Sequence, residues 1–272
     1  MILNKTAFPL VLSFLLSLNF SFSQNTGEGP FELKTGKEAV IIGAGTAIGL
    51  TALLVFLNND KLTEDGINSI KPEDVNKFDR IAIGPYQDDV LGDALLYGSY
   101  LLPLTFLTYD ETREDFGTLA LMYGEVFLLN KGINALIKGL TTRNRPFVYD
   151  AGSPIEEKYK VNARHSFYSG HTSVTASNSF FTARVFSEYL TNSTAKTLIW
   201  SAAALIPAVT GFSRINTHNH FPTDVIVGYI VGAAIGYLIP ELHKYENENE
   251  NNESVITEQF IHKPIFGFQV SF

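Results

Sequence analysis

Apolar stretches of helical length alternate with polar segments along most of the chain. The first of them, residues 39–57, reads AVIIGAGTAIGLTALLVFL and is long enough to form a helix. Turn-forming residues are concentrated in 141–168, which we expect to be a loop. The pattern predicts an all-α protein, a helical bundle with a polar linker and a short C-terminal extension. Further helices are expected within 61–80, and over 91–108, 115–138, 170–190, 196–213 and 221–238, with Pro240 ending the last.

Both ends of the chain differ from this helical part. A basic start at Lys5, an apolar run over 7–20 and small residues before Gln24 indicate a signal peptide, with an uncleaved membrane anchor as the alternative. Residues 244–254 are a polar low-complexity linker, and the Phe-rich tail that follows alternates with period two, like a strand. We therefore divide the chain into a signal peptide (1–23), a lead-in with an apolar helix and a polar segment (24–90), a helical core (91–240), and a linker with its tail (241–272).

Polar residues inside two predicted helices bear on the question of a membrane. Stretches 39–57 and 221–239 could span a bilayer, but 115–138 contains Glu125 and Lys131, and 170–190 contains Arg184. Charged groups at this density are costly in hydrocarbon, so these two helices are expected to pack inside a protein bundle.

Composition excludes several kinds of function. The net charge of −8 leaves no basic surface for nucleic acid, so any phosphate site must be a local cluster of cations. The absence of cysteine rules out disulfides, thiolate metal sites and cysteine nucleophiles.

Three short segments carry residues suited to phosphoryl transfer: KGLTTRNRP, YSGHTS and SRINTHNHFPTD. Phosphoryl transfer spreads negative charge over three oxygens, and cations stabilise that charge. A helix that begins at Ser-Gly-His would direct free backbone N–H groups at an anion. The candidate residues are Lys138, Arg145 and Arg214 for phosphate binding, Ser169 and Gly170 for hydrogen bonding to it, and His171, His220 and Asp224 for catalysis.

His220 and Asp224 are four residues apart and share one face of a helix that begins near Pro222. The carboxylate can accept a hydrogen bond from one ring nitrogen and leave the other as a nucleophile, while His171 protonates the leaving group. Alone, each segment has an ordinary explanation: a helix cap, a turn, a helix start, a surface ion pair, or two metal ligands. Their joint occurrence favours function.

Other histidines are less informative. His218 is six residues before Asp224, off its helical face, and is either a substrate contact or structural. His165, Arg143 and Tyr168 lie near the motifs in sequence and could line an entrance. The remaining two, His243 and His262, have no companions in the sequence.

The three segments resemble the signature of the type 2 phosphatidic acid phosphatase and vanadium haloperoxidase superfamily, over about residues 90–240. The resemblance implies a core of about six helices and the following roles: Lys138, Arg145 and Arg214 bind phosphate, Ser169 and Gly170 hydrogen-bond it, His171 is the general acid, His220 the nucleophile, and Asp224 orients it. One departure is Tyr168, where the family commonly has proline.

The resemblance implies a metal-independent phosphatase without a cofactor, acting on a phosphomonoester or diphosphate through a phosphohistidine. Apolar helices favour a lipid or prenyl substrate, such as phosphatidic acid or lipid A. Three alternatives remain: a haloperoxidase that uses vanadate, a soluble periplasmic acid phosphatase, and a non-enzymatic envelope protein with a vestigial site.

In membrane members the site usually faces outward. Three spans over 39–57, 91–108 and 115–138 would instead bring Lys138 to the cytoplasmic side, whether residues 1–23 are cleaved or kept as an anchor, so either the site faces inward or not all of these segments span. The polar residues of 115–138 favour fewer spans, and we expect an exported envelope protein with its site on the periplasmic face, integral or peripheral to a membrane.

Overall fold

The computed structural model describes residues 29–245, which contain helices and no β-strand. This confirms the predicted all-α bundle. The predicted signal peptide and nearly all of the predicted linker and tail lie outside the described residues. The α-helices are α1 (Thr35–Leu57), α2 (Glu64–Ser69), α3 (Lys77–Arg80), α4 (Val90–Ser99), α5 (Asp110–Glu114), α6 (Phe116–Thr141), α7 (Ile155–Lys158), α8 (Gly170–Tyr189), α9 (Ser193–Asn216) and α10 (Pro222–Leu242). Short 3₁₀ helices occur at Pro72–Asp74, Leu102–Thr108, Pro146–Tyr149 and Val161–Arg164.

The structure differs from the predicted helices at two prolines. The single helix expected over 91–108 is instead α4 followed by a 3₁₀ helix, with a bend of 41° between them. Pro103 has no N–H to continue the α-helical hydrogen bonds, and it stands at the start of the second piece. Pro240 was expected to end the last helix, but α10 continues to Leu242. Its position in the final turn costs few hydrogen bonds, and the His243 N–H closes that turn on the Pro240 carbonyl at 3.1 Å.

Helices α8 and α10 run parallel and in unusually close contact. Three glycines of α10, spaced four residues apart, face the backbone of three serines of α8 with the same spacing. A Cβ at any of these glycines would lie 2.6 Å or less from a serine carbonyl oxygen. Only glycine allows this approach, and small residues at intervals of four are a known means of bringing helices together. The pairs are Gly228 with Ser169, Gly232 with Ser173, and Gly236 with Ser177.

Helix α6 supplies polar contacts to the same pair. Asn130 donates to the Ser173 carbonyl at 3.0 Å, and Asn134 donates to the Tyr168 carbonyl at 3.0 Å. Asn130 and Asn134 therefore face α8 and Glu125 is buried, as the composition predicts, whereas Lys131 is exposed. On its other side α6 packs along α1, where Gly132 and Gly139 permit a close approach. Helix α1, assigned above to a lead-in, is thus packed against the core.

Much of the outer surface of the bundle is apolar. Helices α1, α9 and α10 are each long and apolar enough to cross a membrane, and the bent pair of α4 and its 3₁₀ helix is a further candidate. Large apolar side chains on these helices are exposed, including Leu57 at 73%, Leu205 at 63% and Ile230 at 61%. Such a surface suits hydrocarbon, and it describes a membrane-embedded bundle.

We expect Gly232→Ala to destabilise the bundle, because its Cβ would overlap the Ser173 carbonyl and force α8 and α10 apart. The loss of unfolding free energy should be about 1–3 kcal/mol, typical of overpacking. Gly124→Ala is the matched control, since no atom lies within 4 Å of its Cβ. Thermal unfolding in detergent measures both variants, and equal stability of the two would contradict the proposed role of the close contact.

Candidate active site

Four helix ends meet at one end of the bundle and bring the three predicted motifs together. They are the C-terminal ends of α6 and α9 and the N-terminal ends of α8 and α10. Burial and the positive charges of nearby cations lower the pKa of His220 well below its ordinary value. Those cations are Arg145, Lys138 and Arg214, so all three phosphate-binding candidates act on this ring.

His220 and Asp224 lie side by side in the interior, with 1% and 0% of their surfaces exposed. The imidazole Nδ1 is 3.5 Å from Asp224 Oδ2, and neither ring nitrogen has a hydrogen-bond partner. The expected hydrogen bond between them is therefore not formed. Its place is taken by other donors, because Asp224 Oδ2 accepts the Phe221 N–H at 2.9 Å and the Ser166 hydroxyl.

Arg143, expected at the entrance, instead joins two buried carboxylates. Its Nη1 donates to Asp224 Oδ1 at 2.6 Å, and its Nη2 to Asp79 Oδ2 at 2.7 Å. Its guanidinium also lies 4.3 Å from the centre of the Phe221 ring. Asp79 in turn accepts the Thr223 N–H at 2.9 Å, in the first turn of α10. Arg143 therefore positions the carboxylate beside the nucleophile candidate, and Asp79 holds Arg143.

Arg145 is fixed by two loops and is almost fully buried, at 5% exposure. Its Nε and Nη2 donate to Asn162 at 2.9 Å, and Nη1 donates to Asn219 at 3.3 Å. Burial and the charge of Arg214 lower the pKa of Arg145 to about 9, which leaves it charged near neutrality. These bonds hold the guanidinium in one orientation before any anion binds.

The other two cations have fewer partners. Lys138 Nζ donates to the His165 carbonyl at 2.8 Å, and Arg214 Nη1 to Asp89 Oδ2 at 3.0 Å. Arg214 Nε is buried without a hydrogen-bond partner. A buried N–H that makes no bond costs free energy, and an anion would satisfy it.

Ser169 and Gly170 have structural contacts at the start of α8, in addition to their predicted role in the site. The Ser169 hydroxyl caps α8, and its N–H donates to the Asp224 carbonyl at 2.9 Å. At Gly170 a Cβ would lie 2.9 Å from Asn134 Oδ1, so a larger residue would displace the Asn134 side chain from α8. Their predicted hydrogen bonds to phosphate stay predictions.

His171 makes a contact that the sequence did not indicate. Its Nε2 lies 2.8 Å from Asp93 Oδ1, across to α4. Burial and the charge of Arg214 lower the pKa of His171 to about 4, and the Asp93 carboxylate opposes that shift. Asp93 is therefore placed to favour the protonated ring.

A cavity of about 200 Å³ opens beside these groups. Arg145, Arg214 and His171 line it, whereas His220 and Lys138 do not reach its surface. Its outer wall is acidic, with Asp88 and Glu157 among others. Among residues 29–245, three acidic or histidine side chains with metal-ligand spacing come together elsewhere, at the far end of the bundle.

Two further histidines are structural. His218, for which a substrate contact was also open, directs Nδ1 at the Ala82 carbonyl at 2.9 Å and packs against Gly84. His165 is buried, stacks on Phe56 with ring centres 4.3 Å apart, and lies 3.1 Å from Asn59. Both residues attach the N-terminal part of the chain to the wall of the site.

Comparison with known proteins gives three matches. The protein-family model described as PAP2 superfamily matches residues 119–248, a range that contains every predicted site residue. Lipid A 4'-phosphatase of Porphyromonas gingivalis is 35% identical over 145 residues, 52% of this chain and 58% of that protein. This chain thus matches little more than half the length of that relative. The transmembrane PAP2 type phosphatidylglycerolphosphate phosphatase from Bacillus subtilis is 20% identical, with a TM-score of 0.42 over 76% of this chain and 92% of that one.

Proposed function

We propose that this chain, whose residues 119–248 match the PAP2 superfamily model, removes a phosphate group from a membrane lipid through a phosphohistidine at His220. One observation carries the proposal. The ring of His220 is buried, makes no hydrogen bond, and is surrounded by the charges of Lys138, Arg145 and Arg214. An imidazole with a free lone pair in a cationic pocket is suited to attack a phosphate.

In the first step a phosphate monoester enters the cavity and its oxygens bind Arg145 and Arg214, which line it, while Lys138 contributes a third charge from outside the lining. Because Nδ1 faces Asp224, Nε2 of His220 is the nitrogen that attacks phosphorus. An N–P bond forms as the P–O bond to the lipid breaks, and His171 donates a proton to the leaving oxygen. The negative Asp224 stabilises the positive charge that develops on the His220 ring.

In the second step water attacks the phosphohistidine. His171, now neutral, takes a proton from the water, a new P–O bond forms and the N–P bond breaks. Inorganic phosphate leaves and the His220 imidazole is restored.

The substrate we propose is a phosphorylated glycolipid. The relative from Porphyromonas gingivalis is a lipid A 4'-phosphatase, and the apolar exterior allows a lipid to approach from the bilayer. The carboxylates of Asp88 and Glu157 at the outer wall can accept hydrogen bonds from a polar headgroup.

The direction in which α1 crosses the membrane relates the predicted signal peptide to the side of the membrane on which the site lies. The Leu57 end of α1 lies at the site, since Phe56 stacks on His165, and its Thr35 end lies at the far end. If α1 crosses the bilayer, export of the segment that precedes it would put the site in the cytoplasm, whether residues 1–23 are cleaved or kept as an anchor. Because the exposed surface of α1 is apolar, we keep the crossing and the periplasmic site, which requires the Thr35 end of α1 to face the cytoplasm and gives up the export of the segment before it.

Phosphate release from a panel of phosphorylated lipids, measured with protein in detergent, tests the function. We expect hydrolysis by the native chain and a loss of at least about 10⁴-fold in His220→Ala, because the nucleophile is removed. His218→Ala is the matched control and should retain turnover if it folds, since that ring contacts Ala82 rather than the cavity. Turnover by His220→Ala at the native rate would remove His220 from the mechanism.

Asp93→Asn should change the pH profile. It removes the negative charge that raises the pKa of His171, so less of the ring is protonated at a given pH. The alkaline limb of kcat should therefore move to lower pH, by about one unit. In Asp88→Asn, which alters the same wall without touching His171, the limb should stay in place. If kcat fell by the same factor at every pH and the alkaline limb did not move, Asp93 would have only a structural role.

The cysteine-free chain allows a direct test of sidedness. Lys160→Cys places a thiol at the cavity mouth, and Thr191→Cys places one in the loop between α8 and α9, at the far end. In right-side-out membrane vesicles, a membrane-impermeant maleimide should label the first and reach the second only after detergent is added. The opposite pattern would place the site in the cytoplasm.

A further inference from the structure

A second buried polar cluster lies at the end of the bundle opposite the cavity. Glu38 in the first turn of α1, Glu125 of α6 and His243 after α10 have at most 2% of their surfaces exposed. His243, expected to have no companions, therefore has two acidic ones. Lys138 follows Glu125 on α6 by about 13 residues, or about 20 Å, so the cluster is separate from the proposed active site.

The cluster holds two acidic groups and few protons. His243 Nε2 is 2.9 Å from Glu38 Oε2 and 3.2 Å from Glu125 Oε2. Burial and the neighbouring Glu38 raise the pKa of Glu125 to about 9, so without a cation Glu125 keeps a proton beside Glu38. Both oxygens of Glu125 lack a hydrogen-bond donor although the residue is 1% exposed. A buried carboxylate without a donor is costly, and this one is directed at the other two ligand atoms.

The orientation of the ring is the one that a metal ligand needs. His243 Nδ1 lies 2.8 Å from the Ile239 carbonyl, to which it can only donate. In the neutral ring Nε2 then carries a lone pair that faces the carboxylates. Histidine ligands commonly donate their second N–H to a backbone carbonyl in this way. Glu38 is held similarly, since its Oε1 accepts the Lys34 N–H at 3.1 Å.

We propose that Glu38, Glu125 and His243 bind a divalent transition-metal ion, with Zn²⁺ as the best match. One imidazole nitrogen and carboxylate oxygens are usual zinc ligands, at bond lengths of about 2.0–2.2 Å. Tetrahedral bonds of that length separate ligand atoms by about 3.3 Å, so the 2.9 and 3.2 Å seen here need only small movements. The second oxygen of Glu125 is free to complete the coordination.

The ion would join parts of the chain that are far apart in sequence. It would connect the start of α1 to α6 and to the end of α10, beside the hydrogen bond from the Glu32 N–H to the His243 carbonyl at 2.8 Å. Its role is structural, because it neutralises two buried carboxylates and fixes α1 against the core. It takes no part in the proposed phosphoryl transfer.

Metal analysis of the full chain, purified in detergent without chelator, tests the proposal. We expect about one zinc per chain in the native protein and about tenfold less in Glu125→Gln, which keeps the shape of the side chain but removes a ligand. Glu241→Gln is the matched control. It removes a carboxylate at the same end, where Glu241 pairs with Arg184, and should retain the metal.

Thermal unfolding gives an independent measurement. Native protein produced in zinc-supplemented medium should melt several degrees above protein produced in zinc-depleted medium, and Glu125→Gln should show no such difference. Native protein that contains no stoichiometric transition metal and melts at the same temperature from both media would overturn the proposal, whether or not the variant folds. Equal zinc in Glu125→Gln and the native chain would overturn it as well.

Discussion

The close parallel contact of α8 and α10 is the constraint on which the candidate site depends. Because Gly228, Gly232 and Gly236 let the two backbones approach at constant register, the N-terminal ends of both helices lie side by side. One end carries Ser169 and His171, the other His220 and Asp224. The hydrogen bond from the Ser169 N–H to the Asp224 carbonyl, at 2.9 Å, joins the two helix ends directly at the site. Two motifs about fifty residues apart thus become one surface.

Charge balance around Asp224 is the second requirement. A carboxylate with no exposed surface needs compensation, and Arg143 provides it while being held by Asp79. The chain thereby keeps a fixed negative group beside the His220 ring, close to the positive charges of Lys138, Arg145 and Arg214. Since Asp224 is satisfied by Arg143, Ser166 and the Phe221 N–H, its position does not depend on the protonation of His220.

Local patterns predicted the fold class, most helices and the motif residues, because hydrophobic periodicity and short-range spacing determine them. The bend in the stretch 91–108 was missed although Pro103 marks it, since an apolar run was given more weight than its proline. The partners Asp79–Arg143 and Asp93–His171 could not be found in the same way. Each joins residues more than sixty positions apart, and only the tertiary packing of α3 and α4 against the core brings them together.

The two ends of the bundle pose opposite electrostatic problems, and α6 connects them. At the cavity, cations accumulate with a buried Arg214 N–H that has no acceptor, so the site is completed by an anion. At the far end, two carboxylates share one imidazole, so completion requires a cation or protons. Helix α6 carries Lys138 at one end and Glu125 towards the other, with Asn130 and Asn134 bonded to α8 between them. Helix α1 runs between the same two ends, because it packs along α6 from Glu38 to Phe56, and Phe56 contacts His165, whose carbonyl accepts the hydrogen bond of Lys138.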